Sequence, residues 1–119
     1  MKARVKVERL EMLDPEFAPS VSKTARAQLT NPTTKQFTYS VELYLGAGKV
    51  ATSGVGSITI GAGASQLVDF TLVMPAVEGT YPVYLDVWVA GELLAHYQGT
   101  ENVVISVAPA VVVGPITWV

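Results

Sequence analysis

His96 is the one histidine of the 119-residue chain, and there are no cysteines. A Ser-His-Asp arrangement would need Asp14, Asp69 or Asp86 brought beside His96, with a serine on its far side. No spacing in the chain asks for that, so no catalytic residues are expected. Metal sites need clustered histidine, cysteine or carboxylate ligands. Of the acidic residues only Glu8, Glu11, Asp14 and Glu16 are close in sequence, and they lack the oxygen-ligand spacing of a calcium loop. The expectation is no metal and no cofactor. Gly46-Ala47-Gly48-Lys49 invites a phosphate-loop reading, but the first glycine of that motif would fall on Leu43. Val50 stands where a magnesium-binding Ser or Thr is required.

The aromatic residues carry more. In the stretch GTYPVYLDVWVA, residues 79–90, Tyr81, Val83, Leu85, Val87 and Val89 point one way, and Pro82, Tyr84, Asp86 and Trp88 the other. That period is the mark of a strand with one buried face, here a long central one. Residues 36–45 repeat the pattern, with Phe37, Tyr39, Val41, Leu43 and Leu45 inward and Thr38, Ser40, Glu42 and Tyr44 outward. If the two strands are neighbours, Tyr44, Tyr84 and Trp88 share an outer face. His96 or Tyr97 would join from the hairpin partner. Such a platform stacks on the apolar faces of a sugar ring, with Asp86 or Glu42 accepting hydroxyl hydrogen bonds. The other reading is a face covered by a strand, a subunit or the chain's own tail.

The remaining elements position these two strands. Residues 2–12, 21–30, 49–53, 54–60, 66–74, 93–98 and 102–107 alternate or are rich in β-branched residues, with turn signals between them. Residues 14–20 hold two prolines and read as a loop; Asn31-Pro32-Thr33-Thr34 reads as a turn. Ala90-Gly91-Glu92 reads as a tight hairpin turn, and Gly99-Thr100 as a bulge. No stretch asks to be a helix of three turns. The reading is all-β, an antiparallel β-sandwich of about seven to nine strands.

Composition limits the partners. Half of the residues are hydrophobic and 15% are charged, which excludes a disordered chain. A formal net charge of -2 argues against nucleic acid. No run is long enough to span a bilayer as a helix. Residues 1–17 hold no apolar core of signal-peptide length, so the chain shows no export signal of its own. An extracellular or surface location follows only if it is a module of something larger.

Residues 41–104 run VELYLGAGKVATSG, SITIGAGASQLVDFTLVMP, EGTYPVYLDVWVAGELLA and ENVVI. This order resembles the bacterial and archaeal immunoglobulin-like modules of the adhesion-related or fibronectin-like kind. GASQLVDF at 63–70 and PAVEGTY at 75–81 match their turn-and-strand pattern. The resemblance implies a spacer, adhesin or assembly unit rather than an enzyme.

The last feature is the apolar segment 108–119, with Ile116 and Trp118. Exposed apolar patches mark contact surfaces. Residues 1–107 are expected to form the sandwich, and 108–119 a strand or arm packed on the same or a neighbouring subunit. The function expected is a non-enzymatic structural or protein-interaction module that self-associates or docks on a larger assembly. The alternative is a carbohydrate-binding module. The partners are then a second copy or another protein, or else a glycan. The candidate contact residues are Tyr44, Tyr84, Asp86, Trp88, His96, Ile116 and Trp118.

Overall fold

A computed structural model describes residues 6–8, 14–107 and 114–118 of the chain. Eleven strand segments follow one another: β1 (Lys6–Glu8), β2 (Glu16–Phe17), β3 (Ser22–Thr30), β4 (Phe37–Leu45), β5 (Ala51–Thr52), β6 (Gly56–Ile60), β7 (Ser65–Val73), β8 (Gly79–Tyr81), β9 (Val83–Val89), β10 (Glu92–Gln98) and β11 (Val103–Ile105). Five of them are only two or three residues long. No helix occurs among the described residues.

Two sheets make the sandwich. One runs β1-β3-β7; the other runs β10-β9-β4-β5, with β6 also pairing on β4. All of these pairings are antiparallel. The predicted inward sets meet between the sheets. Tyr39, Val41, Leu43 and Leu45 of β4 and Leu85 and Val87 of β9 are buried against Leu29 of β3 and Phe70 and Leu72 of β7. Each such side chain contributes about 1.5–3 kcal/mol by leaving water. The outer face of β3 and β7 pairs its polar residues with one another and also exposes Leu67 and Val73. Thr24 bonds Thr71, Arg26 bonds Asp69 and Thr30 bonds Ser65 across β3 and β7.

Three expectations need correction. The long central strand is two. Proline offers no N–H for a ladder, and at Pro82 the chain leaves one sheet for another: β8 pairs with β11, while β9 lies between β10 and β4. The predicted loop at 14–20 contains β2, which pairs in parallel with β11, so β2-β11-β8 forms a third, small sheet. The hairpin irregularity falls between Leu93 and Ala95 rather than at Gly99-Thr100. Of the predicted strand 2–12, β1 is described and the rest lies outside the described residues.

The corners are held by specific bonds. Ala90 (φ 51°) and Gly91 (φ 80°) are both left-handed, the two-residue turn that matches strand twist. At the β7–β8 corner the Tyr81 hydroxyl donates to the Val77 carbonyl at 2.6 Å. A tyrosine at this corner, bonding backbone a few residues upstream, is a hallmark of immunoglobulin-type sandwiches. Asn31 is fully buried rather than a simple turn residue. Its Nδ2 donates to the carbonyls of Lys35 (2.7 Å) and Ile60 (3.0 Å). Its Oδ1 accepts from the Thr33 amide (3.0 Å) and hydroxyl (2.7 Å).

Candidate functional site

β9 lies directly beside β4, with Ser40 opposite Trp88, Glu42 opposite Asp86 and Tyr44 opposite Tyr84. β10 completes the row, with His96 opposite Asp86 and Gln98 opposite Tyr84. Tyr44, Tyr84, Trp88, Asp86 and His96 therefore stand on one outer sheet face. The rings touch: Tyr44 and Tyr84 have centroids 5.4 Å apart, and Tyr84 stacks on His96 at 5.0 Å.

A bulge puts His96 there. From the turn, Val89 pairs with Glu92 and Trp88 with Leu93. Continued without a break, that register would set His96 opposite Leu85, pointing inward. Leu94 is the extra residue. Beyond it Ala95 pairs with Val87, His96 with Asp86 and Tyr97 with Leu85. His96 turns outward to Asp86, and Tyr97 turns inward onto the core. Of the two candidates for the aromatic face, only His96 joins it.

Below the rings lies a web of charge. His96 Nδ1 hydrogen-bonds Asp86 Oδ1, and the Tyr44 hydroxyl donates to Asp86 Oδ2 at 2.9 Å. Lys49 Nζ donates to Glu42 Oε1 at 2.7 Å, and Thr52 Oγ1 donates to Glu42 Oε2. Lys49 also lies over the Tyr44 ring, 4.9 Å from its centroid. It reaches both from a left-handed backbone (φ 54°), a conformation that costs a non-glycine residue of order 1 kcal/mol or more. The GAGK turn thus directs its lysine to a carboxylate of its own sheet.

These contacts close the floor of the face. Tyr44 is 5% exposed, and Glu42 and Asp86 are buried with it. Burial pushes the Tyr44 hydroxyl up to about 12, with the hydrogen bond to Asp86 and its charge adding to the effect. Burial alone would raise Glu42 too. The hydrogen bonds from Lys49 and Thr52 and the Lys49 charge outweigh it, against some opposition from Asp86, and hold Glu42 below the usual carboxylate range. Tyr84 and Trp88 are half-buried and His96 is exposed. Among the described residues no group of three or more His, Cys, Asp or Glu could hold a metal ion.

Ile116 and Trp118 do not join this face. They lie in the extended stretch 114–118 and are 83% and 97% exposed. The other residues of the predicted arm, 108–113 and 119, lie outside the described residues.

No protein-family model matches the chain, and no curated protein matches it in sequence. Solved structures do. The CARDB domain of a Pyrococcus furiosus protein, in complex with di-metal ions, superposes with a TM-score of 0.63 at 14% identity, over 87% of this chain and 94% of that one. An alkylpurine DNA glycosylase from Pseudomonas fluorescens, bound to DNA containing an abasic site analog, gives 0.62 at 18% identity over 90% of this chain. This chain spans only 32% of the glycosylase's length. The fold is an immunoglobulin-like β-sandwich. The immunoglobulin-like identity agrees with the corner tyrosine and with the strand pairing. β3 and β7 take the places of strands B and E, and β4, β9 and β10 those of C, F and G. Likeness at this level of identity speaks for the fold alone.

Sequence reasoning placed Tyr44, Tyr84, Trp88 and Asp86 on one face through their period of two. It did not foresee the Asp86–His96 contact, because the bulge at Leu94 breaks that period. It also did not foresee Lys49 on Glu42.

Proposed function

We propose that the chain is a non-enzymatic interaction module. Residues 1–107 form its sandwich, and 108–119 an arm through which it self-associates or docks on a larger assembly. The observation that carries this reading is Trp118, 97% exposed two residues from an equally bare Ile116. Side chains of this size bury about 150–250 Å² each when covered, so leaving them in water forgoes a large stabilisation. The sandwich is anchored up to Val107, whose amide donates to the Glu78 carboxylate at 2.8 Å. The arm leaves from a fixed point. The rims of the aromatic face, Tyr84, Trp88 and His96, offer a second contact surface. A glycan platform has less behind it, since the buried Tyr44 ring is not available to stack on a sugar.

The test is the mass in solution, by size-exclusion chromatography with light scattering, of the full chain and of a chain ending at residue 107. A defined oligomer that becomes a folded monomer on truncation is the expected result. Folded monomers in both cases would remove the association reading and make glycan screening of Tyr84 and Trp88 variants the next step.

A further inference from the structure

The sandwich has an open side. Among the described residues β7 pairs only with β3, so none of them adds a strand to its second edge, Ser65–Val73. Native proteins blunt such edges with charges, prolines or bulges. β7 has no proline and no glycine. Its one charged residue, Asp69, is tied up by Arg26 of β3, with Arg26 Nε 2.6 Å from its carboxylate. Facing this edge across a gap is β6, which among the described residues pairs only with β4. The gap is a cleft of about 230 Å³ lined by Val41, Val55, Gly56, Ile58, Val68 and Phe70, among others. It opens directly on the core residues Val41 and Phe70.

This volume lies below the roughly 300–1,000 Å³ of ordinary small-molecule sites. It suits one or two large apolar side chains delivered by an extended strand. Strand addition works in this way: main-chain hydrogen bonds along a free edge give affinity, and pockets for alternate side chains give specificity. The chain carries a matching donor. Ile116 and Trp118 are two residues apart, so an extended strand presents both on one side. Both are largely exposed, Ile116 at 83% and Trp118 at 97%.

We propose that residues 114–118 of one copy add as a strand to the free edge of β7 in a second copy, with Trp118 entering the cleft beside Val68 and Phe70. This rests on reading 108–119 as an association arm and names the surface that receives it. Donor and acceptor are different surfaces of the same chain, so the contact is head-to-tail. Two copies that exchange arms reciprocally close into a two-fold dimer, and copies that pass the arm on in one direction build rings or open filaments.

Two full-length variants test it. Trp118→Ala removes the donor anchor. Gly56→Phe plugs the acceptor: Gly56 does not have a left-handed backbone, and a Cβ there meets no atom within 4 Å. Val55→Lys, at an exposed position on the cleft rim, is a second acceptor variant that leaves the core untouched. The full chain is expected to grow in mass with concentration, and each variant to raise the dissociation constant roughly 30-fold or more, as loss of a buried anchor does. An equimolar mixture of Trp118→Ala and Gly56→Phe should stop at the mass of two chains, one intact arm filling one intact cleft. If both acceptor variants associate like the full chain while Trp118→Ala does not, the arm is real and the β7 cleft is not its receptor. If Trp118→Ala also associates normally, or the full chain stays a monomer, the arm reading itself falls, and this inference with it.

Discussion

Glu42 and Asp86 stand directly opposite each other on β4 and β9, two carboxylates facing across one pair of strands with both side chains buried. Like charges in this position repel, and the low local dielectric makes that worse. The sheet resolves the conflict by turning each carboxylate to its own donors. Glu42 takes Lys49 and Thr52; Asp86 takes Tyr44 and His96. The polar web under the aromatic rings is therefore first a device that allows two acids to share a face.

Lys49→Met tests the Glu42 half. A buried carboxylate loses its charged donor, which costs about 1–2 kcal/mol at neutral pH, kept small because Lys49 is partly in solvent. The pH dependence is more specific. Glu42 has its folded pKa lowered, so its contribution is present above the unfolded carboxylate value and lost as pH falls through the lowered one. Asp69, lowered by the hydrogen bond from Arg26, adds a parallel acid loss that Lys49→Met leaves intact. Urea midpoints from neutral to acid pH should show the variant losing stability over a shorter range than the parent. Parallel curves would mean that Lys49 does not hold Glu42 ionised.

Tyr44 governs the alkaline side. Its hydroxyl is held protonated to about 12 by burial and by the bond to Asp86, against 10.0 ordinarily. A raised folded pKa means its stabilisation is complete below the unfolded value. That stabilisation is lost as pH climbs from there through about 12. Burial also raises Tyr39 and Tyr97, so spectrophotometric titration of tyrosinate should show three of the five tyrosines ionising above the ordinary value, and Tyr44→Phe should remove the late step near 12 alone. Were the late step to survive in Tyr44→Phe, the hydroxyl would not be donating to Asp86 in solution.

The fold was legible where alternation held without interruption. In β4 and β7 every second residue is large and apolar, and these are the side chains that meet in the core. Reading failed where one residue breaks the count. Leu94 adds a residue to β10 and turns His96 and Tyr97 to faces opposite to those a regular hairpin would give. Pro82 lies on the outward-pointing set and does not disturb the pattern of two, yet its missing N–H ends one sheet and begins another. Lys49 reads as a turn lysine in sequence. Only the left-handed backbone at that residue carries it over Tyr44 to Glu42. Exposure of Trp118 was not legible either, since an apolar segment reads the same whether it packs on its own sandwich or on a neighbour's.

Asn31 was legible as a turn residue but not as a buried one. Its amide makes two donor bonds, to Lys35 and Ile60, and its oxygen accepts two from Thr33, so all the hydrogen-bonding capacity of a fully buried side chain is used. The bond to Ile60 ties the β3–β4 turn to the end of β6, and the Asn31 main-chain N–H donates to the Ala64 carbonyl at 2.9 Å beyond it. Two chain segments thus share one side chain. Asn31→Ala removes the side-chain donor from the Ile60 carbonyl and the acceptor from the Thr33 amide, while the Thr33 hydroxyl keeps the Lys35 carbonyl at 2.9 Å, and should cost about 2–3 kcal/mol in equilibrium unfolding. Asn31→Asp separates the two halves of the network. It keeps the acceptor for Thr33 and replaces the Nδ2 donors with an oxygen facing two carbonyls, so it should be at least as harmful as the alanine. An aspartate that unfolds like the parent would show that the Thr33 bonds alone hold the turn and that the link to β6 carries no stability.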